Sequence, residues 1–337
     1  MGATIKDIAK ALGISPSTVS RALNDSPMIS KETINAVKVI AKRLNYRRND
    51  AAVGLRKSKT NCLGVIVPEI GIYFFSRIIS GMQHEASEAG YQLLISQTNE
   101  DEEQEAKNIR AFANGRVDGI TMAISLGTKN LEHIKEVMDE MPVVIFDRTD
   151  PTLDTVQVEA DDYQGAYIAT KYLIDRGMKN IGHLAGPKTM LNAKNRMNGY
   201  KQALRDANIT ARNNLVEHCD FDTDNVSEAL KKLLKANPDL DGIFAVNDEI
   251  GVQAILDLKK SGFKVPQDIS VIGFGDYPIC RIVEPQLTTV SHHLYKIGQR
   301  CIQYLLKEIK GKESGEHVEH IKHEPFPSEL IVRGSTR

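Results

Sequence analysis

From Cys62 onward, short apolar runs recur between amphipathic stretches: CLGVIVP, YQLLISQ, DGITMA and VVIFD in one half, then IGHLAG, GIFAVN and SVIGFG in the other. Runs of this length, separated by segments long enough to be helices, read as strands of parallel sheets covered on both faces. The repetition predicts two doubly wound α/β lobes. In such sheets ligands bind beyond the carboxyl ends of the strands, so the polar residues there are the site candidates: Glu69 to Phe75, Asp147 and Arg148, Asn247 and Asp248, Gly275 and Asp276, and His292 and His293 after the LTTV run. Polar groups mixed with aromatic rings suit a sugar, whose hydroxyls pair with charged and amide groups while rings cover its apolar face. An aspartate just after a strand is as readily a helix cap, which leaves Asp147 and Asp248 open to either reading.

The first sixty residues obey a different rule. Thr4 stands as N-cap of a helix with Asp7 three positions on, and Ile5, Ile8, Ala9 and Leu12 fall at helical spacing before Gly13 ends it. Ser15 caps a second helix with Pro16 at its first position, where the missing N–H costs nothing. Ser30 caps a third, with Ile29 and Ile34 as a staple and Val37, Ile40, Ala41 and Leu44 on the buried stripe. In the second helix Val19, Ala22 and Leu23 point inward, whereas Ser17, Ser20, Arg21 and Asn24 share the opposite side, flanked by Thr18. That face is short, polar and free of acid. A helix reading the major groove needs such chemistry: arginine for guanine O6 and N7, hydroxyls for bases or phosphates, and no carboxylate to repel the backbone.

Charge follows the same division. The chain of 337 residues has a net charge of −1, but residues 1–59 hold 12 Lys and Arg against 4 Asp and Glu, leaving 31 against 40 in the remainder. A basic head on an acidic body points to a polyanion partner for the head. With 41% hydrophobic and 26% charged residues, no apolar run approaches the roughly 20 residues of a membrane span. The N-terminus MGATIKDIAK lacks a secretory core, which places the protein in the cytoplasm. Cys62, Cys219, Cys280 and Cys301 form no CxxC pair, so neither a zinc site nor a disulfide framework is expected.

The stretch TIKDIAKALGISPSTVSRALND, followed by ISKETINAVKVIAKRLNY and NDAAVGL, resembles the lactose-repressor (LacI/GalR) family. The resemblance implies that Pro16, Ser17 and Arg21 contact bases, while Thr4, Thr18, Ser20, Asn24 and Tyr46 fix the phosphate backbone. It makes Asn49 to Lys57 a hinge helix, with Asn49 in the DNA-binding set and Leu55 as the wedge that enters the minor groove at the centre of a palindrome. So short a helix, weakened by about 1 kcal/mol at Gly54, orders only when two copies meet on DNA. Many relatives carry Arg or Gln where Val53 stands, which removes one polar minor-groove contact. The organisation expected is a helix-turn-helix domain over 1–48, a hinge and linker over 49–61, and a periplasmic-binding-protein-like domain of two doubly wound lobes over 62–337.

Carried over by position, the effector contacts are Tyr73, Phe74, Asp147, Arg148, Arg196 in RMNGY, Asn247 in VNDE, and His292, with Asp276 beside them. Three departures matter. Relatives often read Asn-Pro-Phe-Phe where this chain has Ile72, Tyr73, Phe74 and Phe75. GFGD replaces GFDD, so Gly275 stands where the family places an aspartate that grips hydroxyls. His292 replaces a frequent Gln. Together Arg148, Arg196 and His292 suggest a sugar acid or sugar phosphate as readily as a neutral sugar. The whole reads as a DNA-binding repressor, dimeric on a palindromic operator, without cofactor or metal and controlled by a small carbohydrate-like effector. A solute-binding receptor and a phosphoprotein-dependent catabolite regulator are the rival readings. An enzyme is disfavoured because no GxGxxG after a strand, P-loop or GxSxG occurs.

Overall fold

The computed structural model describes residues 3–46, 59–115, 117–188, 190–219, 223–315 and 323–337. The chain divides into two compact units, Met1–Thr60 and Asn61–Arg337. The hinge expected over 49–61, including Asn49, Val53, Gly54 and Leu55, lies almost wholly outside the described residues.

The head holds three helices, α1 (Ile5–Leu12), α2 (Pro16–Leu23) and α3 (Lys31–Arg43). Asp7 reaches back to the start of α1, its Oδ2 accepting from the Thr4 backbone N–H at 2.8 Å and hydroxyl at 2.7 Å. A carboxylate there also meets the positive end of the helix dipole. Gly13, at φ 65°, closes α1 in the left-handed region. Ser15 Oγ accepts from the Thr18 N–H with Pro16 at the first helical position, and Ser30 caps α3 in the same way through Thr33. Ile8, Ala9, Val19, Ala22, Val37 and Ala41 form the buried core. Leu44 departs from the expected stripe: it is the C-cap of α3 and remains exposed.

In the body, β1 (Cys62–Val67), β2 (Gln92–Gln97), β3 (Gly119–Met122), β4 (Val143–Phe146), β5 (Val156–Ala160) and β11 (His323–Phe326) form one sheet in the order β11-β5-β4-β3-β1-β2. The second sheet runs β12-β10-β9-β8-β6-β7, from β6 (Ile181–Ala185), β7 (Val216–His218), β8 (Gly242–Ala245), β9 (Ser270–Phe274), β10 (Thr288–Ser291) and β12 (Glu329–Ile331). Neighbours pair in parallel except β10 with β12. Two helix pairs matter for the site: α4 (Tyr73–Glu88) packs on α11 (Leu294–Ser314), and α7 (Asp162–Asp175) on α8 (Leu191–Asp206). Between them come α5 (Glu102–Asn114), α6 (Glu132–Glu140), α9 (Thr223–Ala236) and α10 (Asp248–Lys260). No helix among the described residues is long and apolar enough to cross a membrane.

The strands absent from the sequence reading are β5, β7, β11 and β12, whose residues, such as VQVEA and VEH, are short and polar. They carry the topology's main consequence. The chain changes sheet three times, between β5 and β6, between β10 and β11, and between β11 and β12. Two of these crossings are tied together, the Asp161 N–H donating to Phe326 O at 2.9 Å and the Ser328 hydroxyl to Asp161 O at 3.1 Å. Residues beside the crossings, Asp162 and His292 among them, are thereby held between the lobes.

Candidate nucleic-acid interface and effector cleft

On the head, Val19 and Ala22 anchor α2 in the core, and this fixes which of its faces is outward. Pro16, Ser17 and Arg21 are exposed there, and Thr18 and Ser20 are half-buried. The guanidinium of Arg21 makes no hydrogen bond or ion pair among the described residues, so its five donors remain available. Ser17 and Thr18 lie at the cap, their hydroxyls 2.7 and 2.8 Å from Ser15 Oγ. The Asn24 amide folds back onto Ser20 O at 2.7 Å, and Thr4 shares its N–H and hydroxyl with Asp7. Tyr46 packs its ring against the head core. The face therefore presents a row of small polar groups around one uncommitted guanidinium.

In the body, the loops after the strands converge between the lobes. Arg196, on α8, is buried: Nε donates to Asp162 Oδ1 at 2.7 Å, Nη1 donates to Val246 O at 2.5 Å, and the guanidinium lies 4.1 Å above the Phe274 ring. N–H donors on its terminal nitrogens remain. Asn247 caps α10, its Oδ1 accepting from the Ile250 N–H at 2.9 Å, which leaves the amide NH₂ unused by the cap. Asp248 is not the cap. It is fully buried and accepts from the Tyr277 N–H at 2.7 Å and from the Thr289 hydroxyl, and burial raises its pKa to about 6.

Asp147 follows β4 at φ 66°. Burial, offset in part by Arg148 and reinforced by Asp162, raises its pKa from 3.8 to about 6. Tyr73 and Phe74 open α4 in the same lobe and bring aromatic surface toward the other: Tyr73 meets Tyr277, from the loop after β9, at 5.0 Å between centroids. Phe74 and Phe274 flank His292 at 6.2 and 4.5 Å. His292 is buried, and its Nδ1 has no partner among the described residues.

The cationic side chains of the cleft already have partners. Arg148 donates to both oxygens of Glu100, at 2.6 and 2.8 Å. Arg196 is matched by Asp162, and burial, with Arg196 nearby, holds His292 well below the usual imidazole pKa and therefore neutral. The Asp276 carboxylate is held by Arg333 and, at 3.0 Å, by Arg281. The strand-end reading missed Asp162, Phe274 and Tyr277. Asp162 follows a strand too polar to be recognised as one, Phe274 reads as core at the end of SVIGFG, and Tyr277 sits beyond the polar pair that drew attention.

Comparison with known proteins covers both units. A family described as "Bacterial regulatory proteins, lacI family" matches residues 4–49, and one described as "Periplasmic binding proteins and sugar binding domain of LacI family" matches residues 60–328. The chain is 30% identical over 335 residues to an HTH-type transcriptional repressor PurR of Haemophilus influenzae, covering 99% of each. It is 31% identical over 335 residues to a ribose operon repressor of Halalkalibacterium halodurans, covering 99% of this chain and 97% of the other. The structure of the Lac repressor dimer bound to operator and the anti-inducer ONPF matches with a TM-score of 0.87 at 22% identity, over 100% of this chain and 99% of that one, a likeness of fold. The chain belongs to the LacI family of bacterial transcriptional regulators, with a DNA-binding head and an effector-binding body.

Proposed function

We propose that the protein represses transcription in the cytoplasm as a homodimer on a palindromic operator, and that a neutral, hydroxyl-rich effector in the cleft sets its affinity for that operator. The acid-free outer face of α2, with the Arg21 guanidinium uncommitted, carries the DNA reading. Pro16, Ser17 and Arg21 reach base edges, and Thr4, Thr18, Ser20, Asn24 and Tyr46 steady the backbone. Asn49 and Leu55 belong to a hinge that orders between two copies on the operator, Leu55 acting as the wedge. Dimerisation is supported by an apolar patch at α10 and the turn packed on it, where Leu256, Ile279 and Ile282 are 42%, 38% and 79% exposed. Selection of fragments bound by the full chain from genomic DNA, at fixed salt, tests the reading: enriched sequences with two-fold symmetry are expected, and enrichment without symmetry would refute it.

For the effector, charge decides between classes. Among the described residues, Glu100, Asp147 and Asp162 pair with two guanidiniums, Arg148 and Arg196, and burial holds His292 uncharged. An added anion would meet a surplus of carboxylates, whereas neutral hydroxyls can accept from Arg196 and Asn247 and donate to Asp147. Tyr73, Phe74 and His292 supply the apolar walls. Isothermal titration of neutral sugars against sugar acids and sugar phosphates tests this, and tighter binding of the charged forms would overturn it. A ligand stabilising one lobe arrangement shifts the hinge spacing across the dimer and hence the operator-bound state. A receptor without a DNA role is disfavoured by the regulator family match over 4–49.

A further inference from the structure

Gly275, directly after β9, brings no side chain to the mouth of the cleft, and the structure shows what stands beside it. Its φ of 137° is one that side-chain-bearing residues rarely adopt. A Cβ built on it would lie 2.6 Å from Tyr277 Cε1, 2.8 Å from Cδ1 and 3.0 Å from Asp248 Oδ2. The Tyr277 ring thus fills the space that a side chain at 275 would need. Its backbone is pinned by the buried Asp248, so the ring is placed by a fixed loop. Although Tyr277 belongs to the loop after β9, it packs against the apolar core of the other lobe and touches Tyr73 at 5.0 Å with a tilt of 56°.

We propose that Tyr277 is the specificity-determining residue of this effector site, replacing a hydroxyl-gripping carboxylate by an aromatic face, and that the effector is a neutral sugar derivative bearing an aromatic ring that packs on Tyr73 and Tyr277. The inference rests on the reading of the cleft as the effector site. The Arg196, Asn247 and Asp147 side binds the hydroxyls, and the Tyr73–Tyr277 side takes the ring. Aromatic pairs of this kind prefer tilted or offset contact, a geometry the two tyrosines already have with each other and one that a ligand ring can extend.

The test uses the full-length protein and paired probes: the methyl and phenyl β-glycosides of glucose, galactose, xylose, ribose and cellobiose, titrated calorimetrically. At least one phenyl glycoside should bind ten-fold or more tightly than its methyl partner. Tyr277→Ala should bring that pair within three-fold, and Tyr277→Phe should keep the preference. Hydrogen exchange with the bound probe locates it, with protection expected around 147–148 and 247–248. Protection there with equal affinities for the pair, or a phenyl preference surviving Tyr277→Ala, overturns the role of Tyr277 and leaves the cleft reading standing. Protection elsewhere overturns the cleft reading itself. Absence of binding across the panel overturns the ligand class proposed. Circular dichroism and melting of both variants separate loss of binding from loss of fold.

Discussion

The guanidinium carbon of Arg196 lies over the ring of Phe274, 4.1 Å from its centroid, while Asp162 accepts from its Nε. One residue thereby joins α8, the end of β9 and the crossing that leaves β5. Its planar fork makes this arrangement possible, since a guanidinium can stack through its face and donate through its edge at once.

Arg196→Lys should weaken effector binding at least ten-fold while keeping the body folded, because an ammonium retains a charge for Asp162 but loses the stack and the fork. Arg196→Ala should destabilise the body by about 3–5 kcal/mol, since Asp162 would be left buried and unpaired. Calorimetric titration and urea unfolding separate the two effects. Unchanged stability in the alanine variant would show that Asp162 finds another partner.

As pH rises from about 4 to about 6, Asp147 and Asp248 should withdraw stability from the body, while the buried histidines His183 and His292, whose pKa values burial holds low, contribute the opposite slope. Asp147 and Asp248 both titrate near 6 when folded, against 3.8 ordinarily, because burial disfavours their charged forms. In that window these two carboxyls keep protons that the unfolded chain has released, so their share of the stability falls with each step upward. Each group contributes about 3 kcal/mol at most. Asp147→Asn should flatten part of the slope and raise stability at pH 7, leaving the Asp248 part. Urea midpoints from pH 4.5 to 7.5 for both proteins are the measurement, and parallel curves would contradict the assignment.

The head was legible almost residue by residue because caps and helical spacing are local properties. Thr4 with Asp7, Ser15 before Pro16, and Ser30 each act within one turn, and the core of Val19, Ala22 and Val37 follows from period alone. The apolar runs of the body also gave their strands away. What escaped depends on distance along the chain. The pairing of β11 with β5, whose residues lie more than 160 positions apart, carries no local signal. Neither does the ion pair of Arg196 with Asp162, nor the match of Arg148 to Glu100. Charge in a cleft is a sum over partners, and the partners of these arginines come from remote strands.

Arg21→Ala should relax base preference at one position of each operator half-site and weaken specific binding by about 1–3 kcal/mol. Ser17 and Thr18 are already engaged at the helix cap, so Arg21 is the strongest reader on the face. Binding to random DNA should fall far less. An unchanged base profile in a selection experiment would remove Arg21 from readout.

Leu55→Ser should weaken binding to the cognate palindrome much more than to unrelated duplex, because a wedge contributes only where the DNA is kinked. Electrophoretic titrations on both DNAs at one salt concentration make the comparison. Equal losses would mean that Leu55 is an ordinary linker residue.

Ile282→Asp should shift the protein toward monomer and, through that, weaken operator binding without touching the head. Ile282 is 79% exposed, far more than an isoleucine gains from in water, and Ile279 and Leu256 extend the apolar patch. Together they lie on α10 and the turn packed against it, a rigid base well suited to a two-fold contact in which the same patch meets itself. A charge on each copy would bring two carboxylates face to face in a desolvated interface. Sedimentation should show a dissociation constant raised at least a hundred-fold, with the melting temperature of the isolated body nearly unchanged at concentrations where the wild type is already monomeric. If the variant remains dimeric, the patch serves some other contact. If it is monomeric yet binds the full palindrome as tightly as before, the head does not depend on body dimerisation for its affinity.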